Sequence, residues 1–369
     1  MNNQKKLTIA LDCMGGDKAP QIVIEGADQI ACKNFNVYFL LFGDEKKIKP
    51  ILNHCRYLRG RYELIHTSES ISADEKPSNA LRRFTKSSMR LAIDAVKENK
   101  ADVIISAGNT GALMAISKVV LKPLEGIDRP AIVTAIPNRK NQGTVFLDMG
   151  ANVECDANAL FQFAIMGKAF ARSVLKVESP KIGLLNVGSE ELKGNDNIKL
   201  VAQKIKNSDL KNDFYGYVEG DDIAKGTVDV IVTDGFTGNI TLKAIEGTAK
   251  FISGIIKEGF NNSTFAKIGY LFAMSSLRKA SKKADPRYYN GAMLVGLNGV
   301  VVKSHGSTDA TGFGNAINVA ISLVENKINQ KIIDELKKSI DSINQENIDN
   351  KISNENNIAN EILKNDKSY

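Results

Sequence analysis

Disulfide and metal chemistry find little to work with in this sequence. The 369 residues hold only four cysteines, Cys13, Cys32, Cys55 and Cys155, and no two stand at a metal-ligand or C-x-x-C spacing. That usage fits reduced thiols in a cytosol rather than a disulfide framework. No run reaches the roughly 20 apolar residues of a membrane-spanning helix. The one early apolar run, 7–11, is ended by Asp12 and is too short for a signal-peptide core. G-x-G-x-x-G is absent, and with it the common dinucleotide fingerprint. A G-x-S-x-G elbow and a Cys/His pair are missing too, so no acyl-enzyme on Ser or Cys is expected.

What is present is globular. Apolar residues make up 43% and charged residues 25%, ordinary values for a chain long enough to bury a large core. A net charge of +7 and a pI near 9.0 suit an acidic partner or a phosphorylated ligand.

The stretch 228–243, VDVIVTDGFTGNITLK, organises the rest. Its β-branched run 228–232 predicts a strand buried on both faces of a parallel sheet. Asp234 ends the strand, Gly235 and Gly238 follow with Thr237 and Asn239 beside them, and a helix is expected from Ile240 to about Phe260. A strand, a glycine-bearing loop and a helix in that order leave free N–H groups at a helix N-terminus, which favours an anion. Asp234 falls at a strand's carboxyl end, where open α/β sheets hold ligands.

The same junction recurs along the chain. Strand 7–11 runs into Asp12, Gly15, Gly16 and Asp17. Strand 103–105 leads to Gly108, Asn109, Thr110 and Gly111, then to a small-residue helix over 112–121. Strand 144–147 ends in Asp148, Gly150 and Asn152. Strand 181–185 ends in Asn186, Gly188, Lys193 and Gly194. Further strands are expected at 37–42, 62–66, 131–135, 215–218 and 300–303. Helices are expected at 21–32, 198–205 and 312–325, with one long helix over 77–98, whose Arg82, Arg83 and Lys86 read as solvated surface. This alternation implies an α/β fold with a doubly wound, mostly parallel sheet, and the glycine loops imply one shared cleft along its carboxyl edge. His54 and His66 read as structural. His305, in KSHGS with Ser307, is set in a glycine loop.

Seven ordered stretches, DCMGGDKAP, SAGNTGALM, GIDRPA, LDMGANV, LLNVGSEELKGN, VTDGFTGNITLK and KSHGS, resemble the bacterial phosphate acyltransferases of fatty acid and phospholipid synthesis, over about 7–328. Cys13 stands where that family has a small alanine, and the tail lies outside its usual length. The resemblance implies a fold like that of isocitrate and isopropylmalate dehydrogenases and phosphotransacetylases, with a protruding helical hairpin, in a homodimer. It implies transfer of a long-chain acyl group from acyl carrier protein to inorganic phosphate, the acyl phosphate then passing to a membrane glycerol-3-phosphate acyltransferase. No cofactor, metal or nucleic acid is implied. The expected organisation is an acyltransferase domain over 1–330, holding the hairpin at 261–287, and a polar extension over 331–369 that is helical, then disordered. The expected location is cytoplasmic, at the inner face of the cell membrane.

In such a reaction phosphate is itself the nucleophile. The protein must hold an anion beside a thioester carbonyl and stabilise the developing oxyanion. Resemblance and chemistry together place Asn109, Lys193, Asn239 and His305 at the reacting centre. Lys193 would neutralise phosphate or oxyanion charge, and His305 would donate a hydrogen bond or a proton. The substrate loops would be lined by Asp12, Gly15, Gly16, Asp17, Gly108, Thr110, Gly111, Asn152, Gly188, Gly194, Asp234, Gly235, Thr237, Gly238 and Ser307. The aspartates read as orienting loops and lysines rather than acting as bases.

Residues 261–287 space Phe265, Ile268, Leu271 and Phe272 three to four apart and follow them with Lys279, Lys282 and Lys283. That is the pattern of a helix in a membrane interface, with lysine stems reaching an anionic surface; a dimer-interface helix is the other reading. Three other functions remain as alternatives: a phosphotransacetylase-like enzyme using coenzyme A thioesters, a non-catalytic membrane-associated scaffold that binds acyl carrier protein or its partner enzyme, and a metal- and nicotinamide-dependent dehydrogenase.

Overall fold

The computed structural model describes residues 6–342, apart from Asn141, Asn262 and Asp285. In its first half lie β1 (Leu7–Asp12), α1 (Gln21–Lys33), β2 (Val37–Gly43), α2 (Glu45–Leu52), β3 (Tyr62–His66), α3 (Pro77–Arg83) and α4 (Ser88–Lys97). There follow β4 (Val103–Ser106), α5 (Thr110–Leu121), β5 (Ala131–Ile136), β6 (Thr144–Leu147) and α6 (Ala157–Phe170). The second half holds β7 (Ile182–Leu185), α7 (Asp196–Lys206), β8 (Phe214–Val218), α8 (Gly220–Lys225), β9 (Val230–Val232) and α9 (Gly235–Asn261). It closes with α10 (Thr264–Ala284), β10 (Ala292–Val295), β11 (Val300–Lys303), α11 (Ala310–Glu325) and α12, residues 328–342.

The strands form one mixed, mostly parallel sheet in the order β3-β2-β1-β4-β11-β10-β5-β6-β9-β7-β8. Only the pairings of β10 with β11 and β5, and of β5 with β6, are antiparallel. The turn from β5 into β6 therefore reverses the sheet. Strands β3, β2, β1, β4 and β11 run one way and β6, β9, β7 and β8 the other. Their carboxyl ends lie at opposite edges, so the glycine loops form two groups rather than one row along a single edge.

Central strands such as β4 and β6 are buried at every residue, as two-sided helix cover requires. Helix α6 escaped the periodicity reading because Ala159 through Phe170 are all buried. A helix covered all round shows no polar stripe. Its Lys168 is buried against Asp213 (3.0 Å) and Glu335 (3.2 Å), and Glu335 also pairs with Arg172. Glu335 belongs to α12, which buries Ile332 and Leu336. The disorder expected at the end of the chain falls on 343–369, outside the described residues.

Two helix expectations change. The helix expected over 77–98 is two, α3 and α4. Ser87 caps α4 by accepting from Arg90 N–H, while Glu69 accepts from Lys86 N–H (2.8 Å) and Thr67 Oγ1 donates to the Lys86 carbonyl (2.6 Å), drawing the chain out of helical bonding between them. Helix α9 begins at Gly235, not Ile240, because Asp234 accepts from both Thr237 N–H (2.8 Å) and Thr237 Oγ1 (2.9 Å). The hairpin is accordingly α9 and α10 together, wider than 261–287 on its N-terminal side. Phe265 is 88% and Phe272 85% exposed, and Phe251, Ile255, Ile268 and Leu271 are exposed beside them. The side chains of Lys279, Lys282 and Lys283 lie outside the described residues. No described helix is long and apolar enough to cross a membrane.

Candidate active site

The first loop group gathers at the ends of β1, β4 and β11. Asp12 is buried and accepts from Ser88 Oγ (2.6 Å), Ser106 Oγ (2.6 Å) and Met14 N–H (3.3 Å). Burial raises its carboxyl pKa, while those hydrogen bonds and the Lys303 charge pull it back. A Cβ on Gly15 would meet Asp12 Oδ2 at 2.5 Å and Gly108 N at 2.6 Å, so the loops touch backbone to backbone. Gly16 has φ +106°, and a Cβ there would lie 3.0 Å from Ala107 Cβ and 3.2 Å from the Gly306 carbonyl oxygen. Asp17 N–H donates to that same carbonyl (3.0 Å). Loops 13–17, 107–111 and 304–308 are thereby packed together. Asp17, Thr110, Gly111 and Ser307 stand exposed around them.

Asn109 is engaged structurally. Its Oδ1 accepts from Ala112 N–H and caps α5, and its Nδ2 donates to the carbonyls of Ala73 (2.8 Å) and Glu75 (2.9 Å). His305 is half-exposed. Its Nδ1 accepts from Ser307 N–H (3.3 Å) and lies 3.0 Å from Ser307 Oγ. An accepting Nδ1 puts the proton of the neutral ring on Nε2, which faces Glu246 Oε1 at 4.0 Å. Burial lowers the His305 pKa; Glu246 opposes this, and Lys303, Lys243 and Lys250 add to it. The neutral ring, with its Nε2–H donor turned toward Glu246, is thus the form at neutral pH. Buried Asn290 holds this loop, accepting from His305 N–H (2.9 Å) and donating to Ser304 Oγ and the Gly312 carbonyl. Asn290 is not among the residues expected at the site. Its one signal was a polar residue and a glycine directly before an apolar strand.

The second group gathers at the ends of β6 and β9. Buried Asp148 accepts from the N–H groups of Ile132, Gly150, Ala151 and Asn152 and from Asn152 Nδ2, all within 3.1 Å. Asn152 Nδ2 also donates to the Pro130 carbonyl (2.8 Å). A Cβ on Gly235 would lie 2.8 Å from Asp148 Oδ2, and one on Gly238 would overlap the Asp148 carbonyl. The two glycines therefore let α9 dock on the Asp148 loop; they do not form an open cradle. Asn239 is exposed beside Gly150, and its amide has no hydrogen-bond partner among the described residues.

A third loop, after β7, carries Gly188, Lys193 and Gly194. Asn186 Nδ2 ties it by donating to the carbonyls of Gly188 (3.0 Å) and Lys193 (3.2 Å). The Lys193 amine pairs with Glu190 at 2.7 Å, and that hydrogen bond raises its pKa.

Helix α9 joins the two edges. Asn239, Lys243 and Glu246 stand at i, i+4 and i+7, one face of a helix. From Asn239 to Glu246 is about 10 Å at 1.5 Å per residue, and Glu246 reaches His305. One helical face thus runs from the Asp148 loop to the histidine loop. Along it lie the Asn239 amide, unpartnered among the described residues, the Lys243 ammonium paired with Glu246 at 2.9 Å, and the neutral imidazole N–H donor of His305. That set suits an anion and a developing oxyanion. Among the described residues no three His, Cys, Asp or Glu side chains form a metal-binding group.

Comparison with known proteins agrees with this architecture. A family model described as "Fatty acid synthesis protein" matches residues 7–331. A phosphate acyltransferase of Paramagnetospirillum magneticum is 54% identical over 326 residues, 88% of this chain and 93% of that protein. One of Rhodospirillum centenum is 53% identical over 334 residues, 90% and 94% of the two chains. A solved phosphotransacetylase from Streptococcus pyogenes superposes with a TM-score of 0.57 at 17% identity, covering 87% of this chain and 95% of its own. The EutD phosphotransacetylase from Staphylococcus aureus gives 0.54 at 18%, covering 87% and 94%. At that identity the structures share the fold alone.

Proposed function

The chain belongs to the fatty acid synthesis protein family and is an acyltransferase, and from that membership we propose that it makes acyl phosphate from long-chain acyl–acyl carrier protein and inorganic phosphate, the first step toward phosphatidic acid. The observation that carries this reading is the α9 face that joins Asn239 to His305 between two glycine-loop groups. A phosphate oxygen attacks the thioester carbonyl carbon, and the new C–O bond forms as the carbonyl becomes an oxyanion. Asn239 and His305 Nε2–H donate to that oxyanion. Collapse breaks the C–S bond, and the thiolate leaves with little help because its pKa is near ~8.5. Lys193 supplies charge when phosphate displaces Glu190 from it. Asn109, Asn152, Asp12 and Asp234 set loop geometry. The basic body suits an acidic carrier. The test is competition: kcat/KM with acyl–acyl carrier protein should exceed that with the matching coenzyme A thioester, and a reversed ratio would favour the coenzyme A reading.

The hairpin is assigned to peripheral attachment at an anionic membrane, which keeps a long-chain product near a membrane glycerol-3-phosphate acyltransferase, in a homodimer. The exposed Phe265, Ile268, Leu271 and Phe272 support it. Replacing Leu271 and Phe272 by Glu should cut co-sedimentation with anionic vesicles at least about tenfold, given about 1.5–3 kcal/mol for each apolar side chain buried. Unchanged co-sedimentation of a folded variant would remove the assignment.

A further inference from the structure

Lys303 ends β11 with its amine beneath the three packed loops. Its Nζ donates to the Ala107 carbonyl at 3.4 Å and to the Ser304 carbonyl, one from each of two loops. Asp12, on β1, and Asp17, on loop 13–17, are the charges that face it. Ser88 on α4 and Ser106 on β4 meet Asp12 as neutral hydroxyls. His305 lies two residues on, neutral at pH 7, with Glu246, Lys243 and Lys250 of α9 beyond it. The three residues before Lys303 are valines buried in the sheet, so packing alone does not call for a cation here. Burial pulls its amine down to about 8, and the two carboxylates act against that.

We propose that Lys303 is a positioning residue for acyl transfer: its ammonium form ties loops 13–17, 107–111 and 304–308 into the arrangement that aims His305, and its neutral form releases them. The proposal rests on the acyl-phosphate reading above. The ammonium offers three donors and a charge for two carbonyls and two carboxylates; the neutral amine keeps neither the charge nor the third donor.

The experiment compares kcat/KM of wild type, Lys303→Met and Lys303→Arg from about pH 6 to about pH 10, as ratios at each pH. Ionisations of phosphate and thiol then cancel. The wild type to Lys303→Met ratio should be about tenfold or more near pH 7 and fall toward one above about pH 9, because the wild type itself becomes neutral there. Lys303→Arg, charged throughout, should keep activity at high pH where the wild type loses it. A ratio to Met that stays constant with pH would reduce Lys303 to a packing role, and a ratio of one throughout would give it none. If Lys303→Met does not fold, the Arg comparison decides: parallel pH profiles for Arg and wild type overturn the proposal. Should wild type form no acyl phosphate at all, the reading of the reaction fails, which is a separate result.

Discussion

Gly238→Ala is expected to lose at least about 3 kcal/mol of stability, the top of the overpacking range, and with it most folded enzyme. The added methyl would overlap the Asp148 carbonyl oxygen and lie 2.9 Å from its carbon. That carbonyl cannot move aside cheaply. The Asp148 carboxylate accepts five hydrogen bonds from its own loop and from β5, so shifting the residue strains all of them. Nothing lies within 4 Å of the corresponding position at Gly247, farther along the same helix. Gly247→Ala should therefore stabilise by about 0.5–1 kcal/mol through helix propensity and a stiffer unfolded chain. Chemical-denaturation midpoints of the two variants should move in opposite directions. If Gly238→Ala unfolds at the wild-type midpoint, α9 is not docked on the Asp148 loop as described.

His305→Ala is expected to lower kcat about 10²–10³-fold, the usual effect of removing one oxyanion donor. Asn239→Ala should fall in a similar range, and the double variant less than the product of the two, if both donors serve one oxyanion as proposed. The pH dependence carries a sign. Burial lowers the His305 pKa below 6.5, so the ring stays neutral, with Nδ1 accepting from Ser307 N–H, as pH falls through the ordinary histidine range. Protonation below that point fills Nδ1 and ejects the Ser307 N–H, so activity should drop on an acid limb set below pH 6.5. His305→Ala should lack that limb. An Ala variant with wild-type kcat would remove His305 from the reacting centre.

How far the sequence could be read follows the physics of each element. Buried parallel strands announce themselves as short β-branched runs, and glycine loops as the polar break after them, so most strand positions agree with expectation to within a residue or two. The small-residue context of His305 singled it out from His54 and His66. Other features had no local signal. Helix α6 is buried on every face. The break between α3 and α4 depends on Glu69 and Thr67, 17 and 19 residues away from Lys86. The reversal of the sheet is set by the pairing of β5 with β6, and only that pairing shows that two groups of glycine loops exist. Gly235 and Gly238 read as a phosphate cradle because strand, glycine and helix stood in the right order; the close approach of the Asp148 loop gives them another use. Lys303 looked like the polar end of a strand, since its burial comes from loops distant in sequence.

The most direct measurement is the product stoichiometry of a single turnover. Protein in excess is mixed with a long-chain acyl–acyl carrier protein, with and without inorganic phosphate. Free carrier thiol and hydroxylamine-trappable acyl phosphate are then counted. Both are expected to form in equal amounts and only when phosphate is present. Thiol released without trappable acyl phosphate, or released equally without phosphate, would make the protein a thioesterase and contradict the acyl-phosphate reading.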